Sequence, residues 1–135
     1  MTYLTPNTVL QFGAKEYRDT DSGCYLWPGD MDVRATGNLD RVCITVPRDW
    51  TFTAINIDFE DKGDSDLVEF FLEVDGVPTS LSGQVAGNDE HRFVTGNVQV
   101  AAGSKIAIAA EKVGATMPEL GYVRCQLVSH LRNVT

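Results

Sequence analysis

The stretch Leu67-Val68-Glu69-Phe70-Phe71-Leu72-Glu73-Val74-Asp75-Gly76-Val77-Pro78-Thr79 decides the fold class. Val68, Phe70, Leu72 and Val74 fall at alternate positions, with Glu69, Glu73 and Asp75 on the opposite set. Successive side chains of a strand point to opposite faces, so this run is a strand with one apolar face and one polar face. Asp75-Gly76 then supplies the residue pair favoured by a two-residue hairpin turn, whose central residues take positive φ. Phe71 breaks the polar face. An aromatic there is either an anchor for a partner or a side chain covered by another part of the chain.

The same alternation recurs on both sides of this strand. Val98 and Val100 alternate with Asn97 and Gln99, and after Ala101-Ala102-Gly103 the pattern resumes with Ile106, Ile108 and Ala110, which reads as a second hairpin. Near the C-terminus Val123, Cys125, Leu127, Ser129 and Leu131 alternate with Tyr122, Arg124, Gln126, Val128 and His130; the first set is expected to face the core. Upstream, Val42, Ile44 and Val46 alternate with polar neighbours until Pro47, which cannot donate to a central ladder, and Ile55, Ile57 and Phe59 repeat the pattern. Val9 to Phe12 and Cys24 to Trp27 complete a set of about eight strands. Turn-forming residues separate them at 28–30, 61–64, 75–76, 87–89 and 114–118, and Lys15 to Thr20 offers at most a short helical turn. These features predict an all-β, two-sheet antiparallel sandwich of jelly-roll or Greek-key type, forming one domain over 1–135 with a polar N-terminal arm over 1–7. An immunoglobulin-like sandwich is the alternative, but the Cys…Trp…Cys spacing that favours it is missing.

The chain has 135 residues, 43% of them hydrophobic, and a formal net charge of −8. That length is enough to bury about two-thirds of the unfolded surface without a disulfide or metal. The negative charge opposes binding to nucleic-acid phosphate and to anionic membrane surfaces, so neither partner is expected. Met1 to Pro6 lack a basic region followed by an apolar one, and no secretory signal is expected. Cys24, Cys43 and Cys125 form no C-x-x-C pair and are odd in number, which fits reduced thiols, with Cys125 as a small buried hydrophobe. Neither His91 nor His130 sits in a thiol-hydrolase signature, and no phosphate-binding, nucleophile-elbow or zincin motif occurs. The chain is therefore expected not to be an enzyme and to use no cofactor.

Asp58, Glu60, Asp61, Asp64 and Asp66 cluster at a hairpin tip. Calcium takes such oxygen ligands, but the ordered spacing of a calcium loop is missing, and a solvated acidic loop with no metal is the expectation. Asp58 and Glu60 lie two apart, at about 7 Å by strand rise, a separation also used by inverting glycosidases; with no third polar group to complete a site, that chemistry is not expected. Trp27 and Trp50, beside Pro28 and Pro47, are either lids on the ends of the core or platforms for a sugar ring. With Phe71 and the outward Tyr122 they make the candidate interaction residues: Phe71, Tyr122, Trp27 and Trp50.

The run Val68 to Thr79, followed by Val98-Gln99-Val100-Ala101-Ala102-Gly103-Ser104-Lys105-Ile106-Ala107-Ile108, resembles β-sandwich domains of tailed-phage virion proteins. In those domains a strand ends in an Asn/Asp-Gly-Val turn and is followed by a Val-x-Val-x-Ala-Gly-Asp-x-Ile/Val-x-Leu pair. Ser104 stands where the family more often has Asp. The resemblance covers about Leu67 to Val113 and the closing run Val123 to Leu131. It implies a virion structural protein, made in the host cytoplasm, of the capsid cement or decoration kind. Its implied partners are the major capsid protein and further copies of itself, as a dimer or trimer. The alternative is a tail fibre or baseplate tip that recognises a host surface glycan.

Overall fold

The computed structural model describes residues 7–15, 23–29, 35–59, 67–86, 91–114 and 122–131. Ten strands form among them: β1 (Asn7–Ala14), β2 (Gly23–Tyr25), β3 (Trp27–Pro28), β4 (Ile44–Thr45), β5 (Trp50–Phe59), β6 (Leu67–Val74), β7 (Val77–Ala86), β8 (His91–Val100), β9 (Lys105–Lys112) and β10 (Val123–Leu131). They make two antiparallel sheets. The first runs β3-β1-β10-β5-β8; the second runs β2-β9-β6-β7, with β4 also on β9. Most neighbours are distant in sequence, β1 with β10 and β5 with β8 among them, as expected when a chain is rolled into a jelly-roll sandwich.

Alternation fills the space between the sheets as the sequence predicts. Val68, Phe70 and Leu72 meet Ile106, Ile108 and Ala110 from β9, and Phe52, Ile55, Ile57, Val123, Cys125 and Leu127 from the first sheet complete one continuous core. A fully buried Phe or Ile contributes about 1.5–3 kcal/mol through removal of apolar surface from water. The turn at Asp75-Gly76 has φ of 51° and 80° at its two residues, and Val74 pairs directly with Val77. Asp75 also accepts the Lys105 backbone N–H at 2.8 Å, which ties the turn to the start of β9.

Several local expectations change. Ala102-Gly103 does not close a hairpin: β8 pairs with β5, whereas β9 pairs with β6 in the other sheet. The turn is an inter-sheet crossing instead. The Gly103 N–H donates to the Val46 carbonyl at 2.7 Å, and the Ala102 N–H donates to Asp49 Oδ1 at 2.9 Å. The run Val42 to Val46 contains only the two-residue strand β4. Before it, the Asn38 side chain accepts the Asp40 N–H at 3.1 Å and starts a 3-10 turn over Leu39–Arg41. Asn7, assigned to the polar arm, begins β1 opposite His130. Residues 1–6, most of Lys15 to Thr20, and Glu60 to Asp66 lie outside the described residues.

The two sides of the sandwich close differently. On one side β2 pairs with β9, the Leu26 N–H donates to Ile108, and β3 pairs with β1, so one short segment passes from sheet to sheet. On the other side β7 and β8 meet through side chains. A Cβ on Gly83 would lie 2.9 Å from Ile57 Cδ1, and one on Gly96 would lie 3.0 Å from Leu81 Cδ1, so glycine permits this close approach.

Candidate interaction surface

The outer face of the first sheet presents an ordered set of polar and aromatic side chains. Gln11, Gln126, Asn56 and Phe93 lie in one row across β1, β10, β5 and β8. Asn56 Nδ2 donates to Gln126 Oε1 at 3.2 Å, and Gln126 Nε2 donates to Gln11 Oε1 at 3.4 Å. This amide ladder holds three strands in one side-chain arrangement and ends at Phe93, which is 55% exposed. The next row holds Trp27, Gly13, Arg124, Asp58 and His91. Gly13 is buried although it lacks a side chain, because Trp27 is its cross-strand partner on the same face.

Arg124 lies 5.4 Å from the centroid of the Tyr122 ring and donates from Nη2 to the Tyr122 hydroxyl at 3.3 Å. At the other end of that row His91 Nδ1 and Asp58 Oδ1 are 2.8 Å apart, and both side chains are about half exposed. One end of the sheet therefore carries two aromatic rings, a guanidinium and an exposed imidazole–carboxylate pair. Arg and aromatic residues are the types that most often anchor protein interfaces, and their rings also suit sugar faces.

The four candidate residues do not converge. Trp27 and Tyr122 share this end of the outer face. Trp50 shares the inward face of β5 with Phe52, at 5.9 Å between ring centroids and 69° between planes, and it packs against the core at the opposite end. Its Nε1 is buried without a hydrogen-bond partner, beside a cleft lined by Asp49, Thr51, Gln99 and Val100. Phe71 is only 2% exposed, so it is withdrawn from external partners. The cover is a property of the second sheet's outer face, where Ala107 and Ala109 are buried as well. Sequence reasoning missed Arg124, whose signal was its position two residues after Tyr122 on the outward set.

On that second outer face the Tyr25 hydroxyl donates to Glu73 Oε1 at 3.0 Å. Burial, then the Glu73 hydrogen bond and the charges of Glu73 and Glu111, push the Tyr25 hydroxyl up to about 12. No disulfide joins the three cysteines: Cys24 and Cys125 are buried, and Cys43 is half-buried. Burial and the nearby Asp58 charge push the Cys125 thiol well above its usual range, which leaves it a poor nucleophile. Among the described residues no three acid, His or Cys side chains come together in a way that would hold a metal. No helix among them is long and apolar enough to cross a membrane.

No protein-family model matches the chain, and no curated protein sequence matches it. Solved structures do. The chain is similar to a protein in the acidic stable capsid structure of Helicobacter pylori bacteriophage KHP30, with a TM-score of 0.54 and 10% identity over 98% of this chain and 94% of that one. It is also similar to the globular domain of a zebrafish complement 1qA protein, with a TM-score of 0.49 and 15% identity over 96% of this chain and 100% of that one. A family 35 carbohydrate-binding module from Clostridium thermocellum gives a TM-score of 0.40 and 13% identity over 62% and 65% of the two chains.

Proposed function

We propose that this chain is a structural component of a phage virion, a cement protein that binds the assembled head shell and catalyses no reaction. The observation that carries this proposal is the extent of the match to a chain of the KHP30 phage capsid structure, which spans 98% of this chain and 94% of that one. The alternating runs around Asp75-Gly76 and Ala102-Gly103, which resemble tailed-phage virion domains, support it from the sequence. A cement protein adds contact area across shell subunits, so it stabilises the assembled state by binding that state alone. The outer face of the first sheet supplies a surface for this role: the hydrogen bonds of the amide ladder pre-order its centre, and Trp27, Arg124, Tyr122 and Phe93 give it anchors. Its partners are the shell protein and further copies of this chain, as a dimer or trimer.

A second reading, a fibre or baseplate tip that recognises a host glycan, is favoured by the placement of Trp27 and Tyr122 at one end of that face beside Arg124. Electron microscopy of virions carrying a small visible tag on this chain separates the two. Labels spread over the head support cement. Labels confined to the tail overturn cement in favour of the tip, and unlabelled particles overturn both.

A further inference from the structure

Among the described residues, Glu73 is the one charged side chain that the fold buries, at 6% exposed. A buried carboxylate is expensive unless it is paired or well hydrogen-bonded. The donor facing it is the neutral Tyr25 hydroxyl, at 3.0 Å from one oxygen. A carboxylate has about four acceptor sites on its two oxygens, so a single phenol leaves most of that capacity for another donor.

Beside this pair the outer face of the second sheet opens into a cleft of about 450 Å³, lined by Gly23, Tyr25, Glu73, Ala109, Glu111 and Lys112 among others. Its size falls within the range of small-ligand sites. Small residues make the room. Ala109 is the direct partner of both Tyr25 and Phe71, and a Cβ on Gly23 would come within 3.3 Å of the Glu111 side chain. The cleft therefore has a carboxylate set into its wall, an aromatic ring next to it and a second carboxylate, Glu111, on the neighbouring row. Lys112, the next residue along β9 and exposed, stands at the rim of the same cleft.

We propose that this cleft binds an organic cation, a guanidinium or primary ammonium on an alkyl stem, with the head on Glu73 and the stem along the Tyr25 ring. The carboxylate supplies a charge-assisted hydrogen bond, the ring face attracts the cation, and Ala109 accommodates the methylenes. Burial first, and then the Glu73 hydrogen bond and the charges of Glu73 and Glu111, raise the Tyr25 hydroxyl at this place. A bare metal ion fits less well, since no third acid, His or Cys joins the set among the described residues. The same chemistry is available from a free small molecule or from a Lys or Arg side chain of a protein partner.

The test is an NMR titration of the full chain with two probes: agmatine, and the peptide acetyl-Gly-Gly-Arg-Gly-Gly-amide. Saturable shifts are expected at the Gly23, Tyr25 and Ala109 amides, with a Kd on the order of 1 mM. Glu73→Gln, which keeps the shape and the acceptor for Tyr25, should weaken binding by about tenfold or more. Tighter binding of agmatine than of the peptide assigns the site to a free cation, and the reverse assigns it to a protein side chain. The proposal is overturned if neither probe saturates by about 100 mM, or if Glu73→Gln leaves Kd unchanged. If Glu73→Gln does not fold, Tyr25→Ala decides instead: a weakened Kd supports the site and an unchanged one refutes it.

Discussion

Gly83 offers the sharpest test of how the two sheets meet. Its φ lies outside the left-handed region, so alanine can adopt the same backbone, and in an open strand Gly83→Ala would stabilise by about 0.4–1 kcal/mol through the unfolded chain. The structure predicts the opposite sign. The new Cβ would stand 2.9 Å from Ile57 Cδ1 and 3.2 Å from Val94 Cγ2, well inside the 3.5–4.0 Å at which carbon atoms attract. Ile57 is fully buried, so its side chain has little room to retreat, and overpacking of this kind costs about 1–3 kcal/mol. Net destabilisation of about 1–2 kcal/mol follows. Ile57→Val removes the clashing Cδ1 and alone should cost about 0.5–1.5 kcal/mol. Combined with Gly83→Ala it should cost less than the sum, with a coupling of about 1 kcal/mol. Equilibrium urea unfolding, followed by tryptophan fluorescence at constant m, measures all four corners of the cycle. A stabilised single variant, or a double variant additive within about 0.3 kcal/mol, would refute the close approach of β7 to β5.

Two further outcomes are expected. Phe70→Asp should abolish cooperative unfolding, because it places an unpaired charge at a fully buried position, whereas Glu69→Ala loses only the exposed hydrogen bond from Gln84 and should move stability by about 0.5 kcal/mol or less; circular dichroism melts compare them. Stability should also fall as pH rises from about 10 toward about 12, since the unfolded chain releases the Tyr25 proton while the folded chain still holds it; in urea titrations across that range Tyr25→Phe should show a shallower decline, and an identical decline would count against the Glu73 contact.

The central strands were legible because each carries its own period. β6, β9 and β10 carry their core-facing residues at alternate positions, although Phe71 interrupts the polar set of β6, and Asp75-Gly76 names its turn type through the positive φ that both residues take. Alternation reports which face a residue occupies but not which strand lies beside it, and so Ala102-Gly103 reads as a hairpin although it joins two sheets. β7 and the first half of β8 escaped recognition for a packing reason. Gly83 and Gly96 stand where an apolar side chain would have marked the pattern, and the approach of the opposite sheet excludes that side chain. For Phe71 the sequence left two readings, a partner anchor or a side chain covered by the chain itself, and its 2% exposure selects the second. At the candidate surface, Tyr122 and Trp27 were identifiable singly, whereas their convergence around Arg124 depends on β3, β1 and β10 coming into register.

The unequal sides of the sandwich give it a spine and a fore-edge. Residues 23–28 belong to both sheets, so on that side separating the layers means breaking backbone hydrogen bonds on one sheet or the other. Between β7 and β8 the layers are held by interdigitated side chains around two glycines. The layers therefore part like a book, from the β7/β8 margin inward, and the hydrophobic interior first meets water at Leu81, Val94 and Ile57 while the spine remains bound.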